Sequence, residues 1–367
     1  MVAARPGMAG APRMPVEVAP GLAARVGIVI PNWNGAHLLP ACLDSLRRQS
    51  FRDFAVIVVD NGSTDGSLEL LRSGYPEVHV VALPRNIGFA GGVNAGIRLC
   101  AGEYVALLNN DTEAAPDWLE AAVTELDRLP EISYAASKLL DFHDRRVLDS
   151  IADGFALYGV PFKIGDREID AGHYAAPFEI LSACAAASFY RRALFEDIGL
   201  FDEDFFAYVE DIDIALRAVL AGHRGISIPA ARVYHLGTAS TGGAPSGFTI
   251  RLSARNVWWV MLKATPGPLL PAVLPLAFLS QLGLLAHTLL TGRRPWLRRH
   301  LGAYCRGVWD AFAALPQVLR KRRQMPRRIG AGAFLARLRL AEAQRRASRR
   351  RALAQRAAAP QVVERAA

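Results

Sequence analysis

The chain has 367 residues, 51% of them apolar, enough for one large α/β domain, an appendage and a substantial core, so a globular protein is expected. Its formal charge of +9 is uneven, with arginines crowding the C-terminal third and most Asp and Glu in the first two thirds, which marks a basic tail and not a basic domain. Cys42, Cys100, Cys184 and Cys305 are far apart, which excludes the paired spacings of zinc sites and redox dithiols and fits reduced cytosolic thiols.

The segment to about Ala24 is rich in Ala, Pro and Met without the apolar run of a secretory signal. It is expected to be a disordered tail (1–24), with Met8 and Met14 as alternative starts, and nothing in it directs the chain out of the cytoplasm. From Val26, β-branched runs alternate with amphipathic stretches: VGIVIPNW, HLLPACLDSLRRQ, FAVIVVD, SLELLRS, VHVVAL, GFAGGVNAGIRLC, EYVALLNN and PDWLEAAVTELDRL. This alternation predicts βαβ units, hence an α/β fold with a parallel sheet and right-handed crossovers. The pattern loosens from Asp141 to Pro177, which suits a variable, substrate-facing region. It resumes with SACAAASFYRRALFEDIGL, a helix from near Glu210, and the strand GISIPAARVYH.

From Ala264 to Gly292, 29 residues pass without Lys, Arg, Asp or Glu, more than the roughly 20 a spanning helix needs. Pro266, Pro268, Pro271 and Pro275 break the first half and leave a remainder somewhat short for a span. Arg251, Arg255 and Lys263 precede it, and Arg293, Arg294, Arg298 and Arg299 follow, so the positive-inside rule sets no orientation. A re-entrant or monotopic insertion into membrane lipid fits both facts. Trp258, Trp259 and Trp296 are expected at headgroup depth, and RKRRQMPRR (320–328) favours anionic lipid. A buried hairpin with a solvated basic tail is the alternative. No aromatic platform or helix-turn-helix pattern accompanies the arginines, so nucleic acid is not an expected partner.

Ligands of an open parallel sheet collect outside the carboxyl ends of its strands. There this chain has Pro31-Asn32-Trp33-Asn34, Asp60-Asn61-Gly62-Ser63-Thr64-Asp65, Arg85-Asn86-Ile87-Gly88 and Asn109-Asn110-Asp111. Each suits a turn or helix cap, but together they put more polar groups on one edge than loops require. Asp60 can accept from the N3–H of a uracil or thymine ring. Asp111 is a hard ligand suited to Mg2+ or Mn2+, and Asn109 can add a carbonyl oxygen. The glycines from Gly88 to Gly92 let a helix N-terminus approach a sugar or phosphate. They lack the dinucleotide fingerprint and follow the third strand, which argues against an NAD enzyme. FFAYVEDIDIALRAVLAGHRG either carries acids and Arg217 where the helix dipole favours them or offers Asp211 or Glu210 as a general base. An acid at such a helix start is expected to stay ionised at neutral pH. His235 is either structural or completes a metal site.

In this order, VIPNWNG, VVDNGSTDGS, RNIGFAGGVNAGI, LLNNDT, FFAYVEDIDIALR and VYHLGTAS resemble glycosyltransferase family 2, the inverting GT-A enzymes, within it the bacterial rhamnosyltransferase-like branch. The likeness runs from about Val26 to Ser240. It implies a GT-A type fold, a Rossmann-like, mostly parallel sheet flanked by helices, over 25–245, with a donor half (25–138) and an acceptor half (139–245). A helical membrane-associated region (246–330) and a basic tail (331–367) would follow. The resemblance implies that Pro31, Asn34, Asp60, Asn61 and Ser63 hold the nucleotide and that Asn86, Gly88, Phe89, Gly91 and Asn94 lie at the diphosphate-sugar. Asn109, Asn110 and Arg217 are further donor-side candidates. Asp111 would bind the divalent metal with His235 as an extra ligand, and Asp211, with Glu210 beside it, would be the base. Where many relatives carry D-x-D this chain has Asn109-Asn110-Asp111, so the donor's diphosphate would be needed to complete the metal's coordination. The implied reaction is inverting transfer of a sugar, rhamnose among the candidates, from a UDP- or dTDP-sugar to a lipid-linked or cell-surface saccharide. Its implied place is the cytoplasmic face of the bacterial inner membrane. The alternative is a non-catalytic nucleotide-sugar-binding or assembly-scaffold protein of a polysaccharide pathway, which would lack a usable base.

Overall fold

The computed structural model describes residues 22–237, 246–291 and 298–358. Most of the predicted N-terminal tail, the last three residues of VYHLGTAS, Arg293, Arg294 and Trp296, and the chain from Ala359 lie outside the described residues. Leu22 is already buried, so the core begins inside the segment read as a tail.

The first half is built from β1 (Val26–Asn32), α1 (Leu39–Arg47), β2 (Phe54–Asp60), α2 (Ser67–Gly74), β3 (His79–Ala82), α3 (Gly88–Ile97) and β4 (Tyr104–Leu108). β1 pairs in parallel with both β2 and β4, and β2 with β3. The crossovers therefore leave β1 in one direction and return on its other side to β4, a topological switch point that opens a crevice at the strand ends. Alternate residues serve opposite faces. Ile28, Ile30, Val58 and Ala106 enter one core and Val29, Ile57, Val59 and Val105 the other, as the two-residue period of a strand requires.

The second half follows as β5 (Thr112–Ala114), α4 (Trp118–Arg128), β6 (Ile132–Asp141), β7 (Leu148–Ser150), β8 (Ala152–Ala156), β9 (Val160–Ile164), β10 (Phe178–Ile180), β11 (Ala187–Arg191), α5 (Arg192–Ile198), α6 (Glu210–Leu220) and β12 (Arg224–His235). The main sheet runs β10-β12-β6-β11-β4-β1-β2-β3. The expected parallel pairing holds through β4-β1-β2-β3 and between β6 and β12, and β11 is inserted antiparallel to β4 and β6. Ala187 lies opposite Leu108, so the chain enters β11 from the ligand edge and needs no crossover helix. β8 and β9 form a separate hairpin within the region where the sequence pattern loosens.

Among the described residues the helices α7 (Gly247–Ala264), α8 (Leu270–Thr291), α9 (Leu301–Ala313), α10 (Leu315–Gln324) and α11 (Ala331–Ala358) follow. Ser246 and Thr249 exchange side-chain and backbone hydrogen bonds in a capping box that starts α7. Trp258 and Trp259, expected at headgroup depth, are instead buried in a third core with Phe205, Ile212, Leu216 and Val318. α8 is continuous through Pro275, which corrects the predicted break. Pro271 sits in the first turn, where its missing N–H has no intrahelical partner to lose, and Pro275 forfeits one bond without ending the helix. Most of α8 faces outward: Leu276, Phe278, Leu279, Leu282, Leu289 and Leu290 are exposed, so a buried hairpin is not what forms. Among the described residues it is the one helix long and apolar enough to cross a membrane.

The segment read as a solvated tail is also different. To Ala358 it is a helix whose Phe334, Leu338, Ala341 and Ala352 are buried. Glu168, with 0% of its side chain exposed, accepts from Arg351 Nε at 2.6 Å, Ser348 Oγ at 2.9 Å and Tyr174 Oη at 3.0 Å. These bonds seat α11 across the β8–β9 hairpin, and composition alone could not reveal a partner so far upstream.

Candidate active site

The strand ends are tied to one another by amides. Asn32 Nδ2 donates to Asp60 Oδ1 at 3.1 Å and to Ser63 Oγ at 3.3 Å, and Asn110 Nδ2 donates to Asn32 Oδ1 at 2.8 Å. A Cβ on Gly35 would fall 2.2 Å from Asn110 Nδ2, so only glycine leaves room for this pair. Asn61 Nδ2 donates to the Gly88 carbonyl at 2.9 Å and its Oδ1 accepts from the Ile87 amide at 2.9 Å, fixing the entry to α3.

A cavity of about 1590 Å³ opens on this edge. Of the residues predicted at the donor, Pro31, Asn61, Asn86, Gly88, Phe89, Asn109 and Asn110 line it. Asn34, Asp60, Ser63, Gly91, Asn94 and Arg217 do not. Asp60 is fully buried, and its second oxygen accepts from the Ser63 amide at 3.1 Å, so it orders the cavity wall from behind. The Asn34 backbone amide donates to Ser63 Oγ and Asn34 Oδ1 accepts from the Thr64 amide in the adjoining loop, and Gly91 packs on Ile87. Asn94 ties α3 to Phe201 through both atoms of its amide. Arg217 is spent on Asp213 and the carbonyls of Ile198 and Leu200.

Asp111 and His235 meet where β5, just after the end of β4, pairs with β12. β5 and β12 pair so that Thr112 is opposite His235, and His235 Nε2 lies 3.5 Å from Asp111 Oδ1. Asp111 Oδ1 and Asn109 Oδ1 are buried without hydrogen-bond partners. The other imidazole nitrogen, Nδ1, is 2.8 Å from Asp149 Oδ2, the orienting carboxylate that metal-ligating histidines usually carry. Two unsatisfied oxygens and an oriented imidazole fit a divalent cation. Burial alone would lower the His235 pKa, but Asp111 and Asp149 outweigh it and raise it to about 9.

Glu210 and Asp211 face the same cavity from the start of α6. The approach is strained: Phe206, Tyr208 and Val209 all have positive φ, at 64°, 70° and 69°, a region that side-chain-bearing residues rarely adopt. Asn256 of α7 holds this turn, donating to the carbonyls of Phe205 (3.0 Å), Ala207 (2.9 Å) and Tyr208 (2.7 Å). A Cβ on Gly88 would lie 2.5 Å from the Phe206 carbonyl, so α3 and the strained turn pack backbone to backbone. Both acids are pushed above the usual carboxylate range, against the expectation of full ionisation. Burial, then the charge of Asp211, raises Glu210 to about 8; burial, then the charge of Asp153, raises Asp211 to about 7.

Sequence reasoning missed several cavity residues. Asp153 and Cys184 come within 4.8 Å of Asp211, ligand atom to ligand atom. Lys163 Nζ is 2.6 Å from Asp149 Oδ1. All come from the segment with no regular pattern or its border, where only polarity was available as a signal. α11 adds Arg345, Arg349 and Arg356 to the lining; arginines stand all round this helix, so their spacing did not single these three out.

Residues 27–199 match the model of the family described as Glycosyl transferase family 2. The chain is 28% identical over 235 residues to an N-acetylglucosaminyl-diphospho-decaprenol L-rhamnosyltransferase of Mycobacterium tuberculosis, covering 58% of this chain and 76% of that protein. It is 30% identical over 239 residues to an O-antigen biosynthesis protein of Myxococcus xanthus, covering 62% of this chain and 18% of that one. Among solved structures, it is similar to a mannosyltransferase of Pyrobaculum calidifontis in complex with GDP-Man and Mn2+, at 20% identity and a TM-score of 0.50 over 82% of this chain and 91% of that one. S. aureus TarS in complex with UDP-GlcNAc is similar at 18% identity and a TM-score of 0.51, over 81% and 83% of the two chains. These two likenesses show a shared GT-A fold.

Proposed function

Residues 27–199 belong to glycosyl transferase family 2, and from that premise we propose that the chain moves a sugar, with inversion, from a UDP- or dTDP-sugar to a hydroxyl of a lipid-linked saccharide. That it is a glycosyltransferase follows from the family and its named relatives; donor, acceptor, metal and base are the proposed parts. The observation carrying them is that a cation-fitting pair, Asp111 with His235, and a pair of acids with raised pKa, Glu210 with Asp211, border one cavity.

In this reading Pro31, Asn32, Asn61 and Asn86 form the polar edge that receives the nucleotide, with Trp33 offering an exposed ring beside it. Asp111 and His235, with the side-chain Oδ1 of Asn109, would hold Mg2+ or Mn2+. Bound there, the cation supplies positive charge to the donor's diphosphate. Asp211 accepts the proton of the acceptor hydroxyl, whose oxygen forms a bond to the anomeric carbon as the bond to the diphosphate breaks from the opposite side. The bonding electrons leave with the diphosphate, and the proton stays on a carboxyl whose raised pKa suits holding it. The acceptor class is supported by the Mycobacterium tuberculosis relative, whose name specifies a diphospho-decaprenol, and by the outward apolar face of α8. That face would hold the enzyme on the membrane where such an acceptor resides, by insertion or by a span.

Incubating the full chain with Mn2+ and a panel of UDP-, dTDP- and GDP-sugars tests the reading. Release of UDP or dTDP from one of them, lost on chelation, is the expected result; release from GDP-sugars alone would overturn the donor assignment.

A further inference from the structure

The cavity has two chemically different walls. The strand edge that carries Asn32, Asn61, Asn86 and Asn109 contributes no Lys or Arg, whereas β9 and α11 bring Lys163, Arg345, Arg349 and Arg356 to the lining. Positions 345, 349 and 356 fall on one face of α11, because residues four and eleven apart return to the same side of a helix. Two of the four cations are committed. Lys163 is paired with Asp149 at 2.6 Å, and Arg345 donates to Tyr158 Oη at 2.9 Å while lying 4.6 Å over the Phe162 ring.

Arg349 and Arg356 are exposed to the cavity and make no ion pair or hydrogen bond among the described residues. Asp153, across the hairpin from Lys163, and Asp166 also line the cavity, and neither forms an ion pair with Arg349 or Arg356 among the described residues. The helix that carries them is fixed, since Ser348 donates to Glu168 and also accepts from the Gly165 amide at 2.8 Å. Two free guanidinium groups on a seated helix face are suited to a phosphate-rich ligand, which they can grip with paired N–H donors.

An apolar surface begins beside this wall. The turn of the β8–β9 hairpin touches α8: Gln281 Nε2 donates to the Gly159 carbonyl at 3.4 Å, and a Cβ on Gly159 would lie 3.6 Å from Ala277 Cβ. The same hairpin lines the cavity through Val160, Pro161 and Phe162. It therefore stands between the arginines and the exposed leucines of α8. We propose that Arg349 and Arg356 bind the diphosphate of an amphiphilic acceptor, whose sugar reaches Asp211 and whose hydrocarbon chain leaves past the hairpin along α8. This rests on the transferase reading above for the identity of the group at Asp211, but it makes a binding claim of its own. The reaction then involves two diphosphates, the donor's at the strand edge and the acceptor's at α11, each with its own positive partner.

The test uses the full chain in a neutral detergent and reads binding by tryptophan fluorescence, without turnover. The probes are geranylgeranyl diphosphate and its uncharged match geranylgeraniol, with UDP and Mn2+ at saturation to fill the donor edge. The diphosphate is expected to bind more tightly than the alcohol. Arg349→Gln and Arg356→Gln should each weaken the diphosphate roughly tenfold, the scale of a hydrogen bond to a charged group, and leave the alcohol unchanged. Arg349→Lys should restore part of the loss, and Arg350→Gln, which removes an exposed charge outside the cavity wall, should change neither. Diphosphate binding by Arg349→Gln and Arg356→Gln equal to that of the unaltered chain would overturn the proposal. So would a loss confined to phosphatidylglycerol vesicles, which would assign the arginines to bulk lipid, or a raised KM for donor hydrolysis, which would assign them to the donor. If no nucleotide sugar is turned over but the diphosphate preference is present and lost in both variants, the transferase reading fails and the anion site stands.

Discussion

Asp211 and Glu210 are neighbours for which we propose separate tasks. A base works only when deprotonated, and the Asp211 pKa is raised to about 7, so kcat/KM should rise with pH and level off above that value. Asp211→Asn should lose at least about 10²-fold in turnover while donor binding by calorimetry is unchanged; near-normal turnover would dismiss Asp211 as the base. Glu210 is buried, with Oε2 unpartnered, and its folded pKa of about 8 lies above the ordinary value of 4.5. Between those pH values the native state keeps a proton that the unfolded chain has released, so stability falls as pH rises through the window. Glu210→Gln should therefore raise the denaturation midpoint at pH above about 8 and leave it little changed in acid, below the window. Asp111→Ala should remove the metal-dependent part of donor binding, measured with and without a chelator. The order of the motifs along the chain is enough to mark Asp111, Glu210 and Asp211 as candidates. Asp149 was not legible, because nothing local in Val147-Leu148-Asp149 points to an imidazole 86 positions away.

Among the elements, α8 and α11 depart most from their sequence impression. Proline content suggested an interrupted α8, yet both of its prolines fall within its first two turns. Leu279→Glu with Leu290→Glu should move the protein from the membrane pellet to the supernatant on fractionation; unchanged pelleting would place the attachment elsewhere. Deleting everything from Ala264 would be a poorer test, since it also strips a wall from the cavity. α11 looked like a tail because Ala and Arg dominate it, and the acid that orders it, Glu168, lies 183 positions from Arg351. Glu168→Gln leaves Arg351 partly buried without its counter-charge, which should cost about 3 kcal/mol in denaturant unfolding and speed tryptic cleavage within α11. The strands of the first half were easier to read because each carries its own hydrophobic run and a polar residue at its end. β11, with a pattern equally good for either direction, gave no hint that it would run antiparallel.

For the molecule as a whole, the site is a joint product of segments far apart in the chain. The strand edge supplies amides, β12 supplies His235, α7 holds the strained turn through Asn256, and α11 adds cationic lining. Asn256→Ala should lower kcat on the order of 10- to 100-fold, as a misplaced catalytic group does, with the KM for the donor unchanged. An equal rise in KM would mean that the turn also shapes the strand edge. The assembly has a consequence in time. Elongation runs at roughly 5–20 residues per second, so on the order of ten seconds separates synthesis of β12 from that of the end of α11. Throughout that interval the motifs of the first 235 residues have been made, yet the cavity still lacks the lining that α11 contributes. A chain ending before α11 is therefore expected to transfer sugar more slowly than the full chain, as a turnover assay of the two would show.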